Sequence, residues 1–213
     1  MFQWSSQTKR ILLVNPDIQL SLLDAGGVTE PRADWTETAR GVIDKGLREH
    51  FGKSGAEVIS PAEPSPHEVQ LMKLHNAVGL AILTHGYGAA GSAGGNNVNA
   101  LPNKGSALDW TLGPGTVEMR DRYQADYALF VFVRDSYSSA AKKALDVFTV
   151  IAGAALGVGI VPAGGVQVGF ASLVDLRTGN IAWFNLAIDG MGDLREEAKD
   201  ARATNQLLKD IPL

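Results

Sequence analysis

The stretch ADYALFVFVRDSYSS, residues 125–139, decides the fold. Its near-continuous apolar run is typical of a strand that is covered on both faces, because a strand with one wet face would alternate apolar and polar side chains. We therefore expect this strand at the centre of a sheet, with helices packed against the two faces of that sheet.

Shorter strand and helix patterns lie on both sides of this central strand. Strands are predicted at 9–14, 56–60, 166–176 and 181–189, and helices at 34–51, 66–84, 116–124 and 140–151 and from Asp193 onward. This order predicts one three-layer domain, residues 1–213, of the α/β or α+β class. Its mixed β-sheet would carry a late β-hairpin and flanking helices.

Two predicted helices have recognisable starts. Asp34 and Glu37 form a capping-box pattern for the first helix. Ser65, followed by Pro66 and Glu68, is a second helix start. The apolar residues after Pro66 recur every three or four positions, which favours one helix to residue 84 over a helix followed by a strand.

Composition excludes several classes of protein. The chain has 213 residues, 45% hydrophobic and 20% charged, with a net charge of −4 and no block of basic residues, which argues against a nucleic-acid partner. It has no cysteine, so disulfides, thiolate metal sites and cysteine nucleophiles are excluded. The first ten residues lack a basic segment followed by an apolar run, so we expect no signal peptide within them.

Residues 86–91, GYGAAG, have the glycine spacing of a dinucleotide-binding loop. Such a loop needs a strand before its first glycine and a helix after its last. Here a predicted helix precedes the glycines, and the following GGNN, residues 94–97, favours no helix. We therefore interpret residues 85–109 as a glycine-rich loop insertion and expect no nucleotide or other cofactor.

No group of residues predicts catalysis or metal binding, and we expect a protein that is not an enzyme. The four histidines are His50, His67, His75 and His85. His67 and His75 do not share a face of their predicted helix, and the zinc motif HExxH is absent. We expect the histidines to be solvated or to lie at helix ends. No serine nucleophile motif GxSxG occurs either.

Arg134, Asp135 and Tyr137 lie where the central strand ends, which is a common position for binding sites, although an Arg–Asp pair there is more often structural. The glycine-rich loop is expected beside this strand end. The candidate residues for binding a ligand or a partner are therefore His85, Tyr87, Asn96, Asn97, Arg134 and Tyr137.

Residues 147–165 form an apolar, glycine-rich segment without a charged side chain. Three interpretations stay open: a buried helix followed by a core strand, an oligomer contact, and a membrane-associated element. Because small residues four apart allow two helices to approach closely, we predict self-association or membrane contact by this segment. The residues concerned are Val150, Gly153, Leu156, Gly157 and Ile160.

Two stretches carry a resemblance to a known group. ADYALFVFVRDSYSS and VGFASLVDLRTGNIAWFN, residues 168–185, resemble the central strand and late hairpin of bacterial envelope lipoproteins. This broad group contains the curli secretion protein CsgG, the penicillin-binding-protein activator LpoB and the N-terminal domain of TolB. The resemblance implies the fold but no shared active site. The signal peptide and lipobox cysteine of such proteins are missing from the 213 residues.

The resemblance implies a non-enzymatic, periplasm-facing domain, derived from a lipoprotein, that binds a protein partner or forms a homo-oligomer in envelope assembly or secretion. Its location would be the periplasm or the outer membrane, whereas a native start at Met1 would imply the cytoplasm. The alternative is a small soluble enzyme or ligand-binding protein, in which the glycine-rich loop, residues 85–103, covers a small-molecule site.

Overall fold

The computed structural model describes residues 9–24, 28–61, 63–85, 108–138, 167–196 and 201–212. The strands are β1 (Arg10–Leu13), β2 (Asp17–Leu23), β3 (Thr29–Pro31), β4 (Glu57–Ile59), β5 (Tyr127–Ser138), β6 (Gln167–Asp175) and β7 (Ile181–Ile188). The helices are α1 (Ala33–Ser54), α2 (Pro66–His85), α3 (Thr116–Tyr123) and α4 (Arg202–Leu207). The predicted helix 140–151, the apolar segment 147–165 and most of the predicted glycine-rich loop lie outside the described residues.

The described strands form one mixed sheet with β5 at its centre. β1 and β2 both pair in parallel with one edge of β5, and β6 pairs antiparallel with the other edge. Outward from these, β4 is parallel to β1, β3 is antiparallel to β2, and β7 is antiparallel to β6. The predicted central position of β5, the mixed sheet and the late hairpin of β6 and β7 are confirmed.

β1 and β2 follow each other along the same edge of β5 as one interrupted strand. Leu13 pairs with Leu129 and Asp17 pairs with Phe132, so the three residues between Leu13 and Asp17 face only two residues of β5. Pro16 lies in this interruption, where its missing N–H removes no bond from a regular ladder. Because of this extra residue, each side chain of β2 points to the opposite face of the sheet from the one it would have reached in an uninterrupted strand. The sequence patterns did not predict β2.

Apolar side chains cover both faces of the sheet, which confirms the three-layer fold class. On one face, Leu129, Val131 and Val133 of β5 pack in a core with α1 and α4. On the other face, the alternate residues Ala128, Phe130 and Phe132 pack in a second core with α2 and α3. Because successive side chains of a strand point to opposite faces, β5 contributes to both cores.

The structure corrects both predicted boundaries of the first helix. The expected capping box at Asp34 is wrong: α1 begins at Ala33 without a side-chain cap, and the Asp34 carboxylate instead accepts hydrogen bonds from Arg32 at 2.8 and 3.1 Å. α1 also continues past residue 51 to Ser54 and is capped by Gly55, whose φ of 76° is the left-handed conformation that favours glycine at a helix end.

The C-terminal helix begins later than the sequence pattern indicates. Asp193 was expected to cap it, but its carboxylate accepts hydrogen bonds from the backbone N–H and the guanidinium of Arg195 and so closes a turn. The helix α4 starts at Arg202. By contrast, the start of α2 is confirmed, because the Glu68 N–H donates to Ser65 Oγ at 3.2 Å and the Ser65 N–H donates to Glu68 Oε2 at 2.9 Å.

Candidate functional site

The predicted site residues Arg134 and Tyr137 lie on opposite faces of the sheet. Tyr137 packs against the core beneath α1, whereas the Arg134 guanidinium lies 4.1 Å from the ring centroid of Phe132 on the α2 face. The two residues are three positions apart, and side chains separated by an odd number of positions point to opposite faces of a strand. Of the other predicted residues, His85 is the last residue of α2 and is half-buried. Tyr87, Asn96 and Asn97 lie outside the described residues.

Arg134 joins β5 to β2 and α2. Its guanidinium forms an ion pair with Asp17 Oδ1 at 2.9 Å and donates to the Asp17 carbonyl oxygen at 3.0 Å. The side-chain amide of Asn76 donates to the other Asp17 carboxylate oxygen at 2.5 Å. These contacts connect three elements through one carboxylate, so the structural interpretation of an Arg–Asp pair fits, with Asp17 as the acid.

A serine and a histidine lie together inside the second core. His75 Nε2 is 2.9 Å from the hydroxyl oxygen of Ser172, and the His75 ring stacks on Phe130 at 4.9 Å. His75 is 1% exposed and Ser172 is 0% exposed, so a substrate has no contact surface at this pair in the described structure. The expectation of a solvated or helix-terminal histidine is therefore wrong for His75, which satisfies its polar atoms within the core.

Burial also sets the charge of His75. Desolvation lowers the pKa of its ring to about 4, although the hydrogen bond to Asn76 and the charge of Asp17 act in the other direction. The imidazole is neutral at neutral pH, as a buried histidine without a carboxylate partner should be. His67 follows the sequence expectation, because it lies in the first turn of α2 with Nε2 2.9 Å from the Gly115 carbonyl oxygen.

Four side chains near the end of β5 form what we call the arginine–aromatic cluster: Arg32, Trp35, Tyr137 and Arg195. The Arg195 guanidinium lies 4.0 Å from the ring centroid of Tyr137 and 5.4 Å from that of Trp35. The Arg32 guanidinium lies 4.4 Å from the Trp35 centroid. The two rings meet edge to face at 5.7 Å. All of these distances are within the range of cation–π and aromatic attraction.

Buried polar contacts hold Tyr137 in place beneath this cluster. Its hydroxyl oxygen accepts the Leu194 N–H at 2.9 Å, and burial followed by the hydrogen bond to Asp135 raises the pKa of the phenol well above its usual value. Burial also raises the pKa of Asp135, whose carboxylate accepts a hydrogen bond from Gln167 at 2.8 Å. The phenol therefore stays protonated, and its ring is fixed relative to β5.

Tyr137 is the cluster member that the site prediction contained. Trp35 comes from α1 and Arg195 from the turn after β7, so the four residues meet only because both segments pack against the end of β5. The sequence signal was weak: a tryptophan next to an arginine at a helix start, and an Asp-x-Arg turn. Neither pattern identifies its partner in space.

The part of the chain that the structure describes contains no group of three or more histidine, aspartate or glutamate side chains placed to hold a metal ion. Within the same residues, no helix is both long and apolar enough to cross a membrane.

No protein-family model matches the chain, and no curated protein matches it. Among solved structures it is similar to the lipoprotein GNA1162 from Neisseria meningitidis, with 14% identity, a TM-score of 0.34 and coverage of 84% of this chain and 81% of that one. It is also similar to the C-terminal domain of LpoB from Salmonella enterica, with 13% identity, a TM-score of 0.30 and coverage of 86% and 85%.

LpoB is one of the proteins to which the sequence shows a resemblance, while the likeness to CsgG and TolB stays a prediction. TM-scores of this size carry no argument about function.

Proposed function

We propose that this protein is a non-enzymatic domain of the bacterial cell envelope that binds a protein partner through the arginine–aromatic cluster. The observation that carries the proposal is the presence of two arginines, a tryptophan and a tyrosine in one surface group. These three residue types dominate the binding energy of protein interfaces, because each offers a large planar contact area together with a polar group.

The rigidity of the cluster supports a binding role. The side chains of Arg32 and Arg195 are 35% and 36% exposed, so each still offers surface to a partner. Each guanidinium also has two contacts with a neighbouring carboxylate, Asp34 for Arg32 and Asp193 for Arg195. Because these side chains are already ordered in the free protein, little side-chain entropy is lost when a partner binds.

The balance of charge indicates what the partner presents. The two arginines are matched by Asp34 and Asp193, and hydrogen bonding by Arg195 lowers the pKa of Asp193 to about 2. The cluster is therefore electrically neutral over a wide pH range. We expect a partner that contributes aromatic or aliphatic side chains to the exposed ring and guanidinium faces, with an affinity that changes little with ionic strength.

The envelope location rests on the sequence resemblance of β5 and the β6–β7 hairpin to envelope lipoproteins. Self-association through residues 147–165 is a second form of the same proposal, based on sequence alone. Cell fractionation of the protein expressed from its own genomic locus tests the location. Recovery with the membrane and periplasmic fractions is expected, and recovery in the cytoplasm alone would contradict it.

Site-specific photo-crosslinking in the native bacterium tests the binding surface. A photoreactive residue at Thr38, one helical turn from Trp35 on α1, should give one discrete protein adduct. Arg195→Lys keeps the charge but removes the planar group, so it should weaken the adduct at least about tenfold, as Trp35→Ala should. Arg40→Gln, a substitution elsewhere on α1, is the control and should leave the adduct unchanged.

Each variant is first compared with the wild type by circular dichroism and thermal unfolding, so that loss of the fold is not mistaken for loss of binding. An adduct of equal yield in folded Arg195→Lys, Trp35→Ala and Arg40→Gln would show that the cluster is not the binding surface. An adduct that consists of two copies of this chain would support self-association instead.

A further inference from the structure

A cleft of about 270 Å³ lies at the other end of β5 from the arginine–aromatic cluster. It is found where β1 and β5 begin and β6 ends, so rigid strand termini position most of its lining. The lining side chains belong to Lys9, Arg120, Asp126, Tyr127, Asp175 and Arg177. A cleft in which nearly every lining residue is charged is suited to a small polar ligand rather than to an apolar one.

The three cations of the cleft are weakly paired. The Arg177 guanidinium is 3.6 Å from Asp175 and the Arg120 guanidinium is 3.9 Å from Asp121, both longer than a charge-assisted hydrogen bond. Lys9 has no ion pair with a described residue. By comparison, Arg122, which also lies on α3, forms a close ion pair with Glu68 at 2.9 Å. The cleft cations therefore keep donors for a ligand.

The two carboxylates of the cleft are fixed by the backbone. Asp126 accepts the Arg10 N–H through Oδ2 at 3.0 Å, and Asp175 accepts the Arg177 N–H through Oδ1 at 2.8 Å. Asp126 keeps its second oxygen as an acceptor, and the second oxygen of Asp175 has only the 3.6 Å contact with Arg177. A ligand in the cleft can therefore meet cationic donors and anionic acceptors at once.

We propose that this cleft binds a small molecule that carries a carboxylate together with an amino or hydroxyl group. The three cations of the cleft can hold the ligand carboxylate, while the two carboxylates of the cleft can hold its amino or hydroxyl group. The planar fork of an arginine matches a carboxylate, and the amino or hydroxyl group donates to Asp126 or Asp175. A phosphate monoester, with about −1.5 to −2 charges near neutral pH, would bring excess negative charge beside these two acids.

This site is independent of the proposed protein-binding function, because it lies at the other end of β5 and shares no residue with the arginine–aromatic cluster. Loss of binding at one site is expected to leave the other intact. The two proposals therefore succeed or fail separately.

Titration of the isotope-labelled protein, followed by two-dimensional ¹H–¹⁵N NMR, tests the proposal with glycine, acetate and inorganic phosphate at constant ionic strength. Glycine should give saturable shifts at the amides of Lys9, Asp126 and Arg177, with a Kd on the order of 1 mM, as is reasonable for so small a ligand. Acetate should bind several-fold more weakly, because it lacks the donor group, and phosphate more weakly still.

Charge-matched variants separate a built site from general attraction. Arg177→Gln and Arg120→Gln should each weaken glycine binding about tenfold, the loss of one charge-assisted contact. Arg40→Gln removes the same charge from α1, far from the cleft lining, and should leave binding unchanged. Asp126→Asn should remove the advantage of glycine over acetate.

Three results would overturn the proposal. The first is the absence of saturable shifts at the cleft with any of the three probes, and the second is an equal loss of binding in Arg40→Gln and Arg177→Gln. The third is tighter binding of phosphate than of glycine, which would replace the carboxylate ligand by a phosphate one.

Discussion

At the scale of single residues, folding controls the charge of His75 in the second core. His75 lies between Phe130 and Phe170, with ring centroids 4.9 and 5.4 Å away, and its Nε2 atom meets the Ser172 hydroxyl. Burial lowers its pKa from 6.5 to about 4. A proton on this ring would place a positive charge in an apolar core without a carboxylate in contact.

We therefore predict that stability falls as the pH is lowered from 6.5 to about 4. In this window the unfolded chain binds a proton at His75 and the folded chain does not, so the free energy of unfolding decreases as the pH falls and levels off below the folded pKa. The loss from this residue should be about 3 kcal/mol. Urea unfolding, followed by circular dichroism on either side of the window, measures it.

The variant His75→Gln isolates this contribution, because glutamine can still donate a hydrogen bond but does not titrate in this range. His67→Gln, the same change at the half-buried start of α2, is the matched control, and the loss of stability should be smaller in His75→Gln than in this control. His50 and Asp135 titrate in all of these proteins, so only the difference between variants is interpreted. An unchanged loss of stability in His75→Gln would show that His75 is not responsible.

At the scale of elements, Gly79 lets α2 lie very close to the sheet. A Cβ atom built on this residue would lie 2.2 Å from the ring of Phe170. In the sequence, Gly79 reads only as a weak point in a helix, with a cost of about 1 kcal/mol relative to alanine. The structure gives the glycine a packing role, since any side chain would push the helix away from the stacked rings of Phe170 and Phe132.

The variant Gly79→Ala should therefore destabilise the protein by about 1–3 kcal/mol, the usual cost of overpacking a core. Gly41→Ala on α1 is the matched control, because a Cβ atom there meets nothing within 4 Å. It should stabilise the protein by up to about 1 kcal/mol through helix propensity alone. Thermal and urea unfolding of both variants measure the two effects. Equal changes in the same direction would contradict the packing role of Gly79.

Elements with a strong local signal were predictable. The apolar run of β5, the turn residues of the β6–β7 hairpin and the capping box of α2 all depend on residues that are close in sequence. The misplaced helix starts result from competition between an arginine side chain and the helix for the same carboxylate. Arg32 binds the carboxylate that would have capped α1, and Arg195 does the same at Asp193. β2 was missed because the turn residues Asn15, Pro16 and Asp17 indicate that the strand ends there, whereas the chain continues along the same edge of β5.

The candidate site follows the same rule. Tyr137 was selected because binding sites are common where strands end, and its role in binding stays a prediction. Its grouping with Arg134 ignored the alternation of side chains along a strand. The real neighbours of Tyr137 are Trp35 and Arg195, which reach it only through tertiary packing. No local pattern could have joined three segments so distant in sequence.

At the scale of the whole molecule, β5 connects the two proposed sites. The arginine–aromatic cluster lies at its C-terminal end and the charged cleft at its N-terminal end, and the two cores pack on its faces in between. A strand bonded along both edges and covered on both sides is a rigid support, so each site can be built from side chains of several elements without losing its geometry. The predicted domain boundaries and the roles of residues 85–109 and 147–165 remain predictions.

Amide hydrogen exchange should show that β5 opens at a higher free energy than the outer strands of the sheet. The β5 residues Leu129, Phe132 and Val133 lie between two hydrogen-bonded neighbours and two apolar cores, so their amides should exchange only when the whole domain unfolds. The three-residue strands β3 and β4 pair at the outer side of β2 and β1, so their amides should exchange through local opening at a lower free energy.

Native-state exchange followed by NMR at increasing urea measures both. The free energy of opening for the three β5 amides should equal that of global unfolding, about 5–15 kcal/mol for a domain of this kind, and should fall with urea at the global slope. The β3 and β4 amides should show smaller values that change little with urea. If these edge amides were protected as strongly as Val133, the sheet would open as one unit, and β5 would not be the rigid support that both proposed sites require.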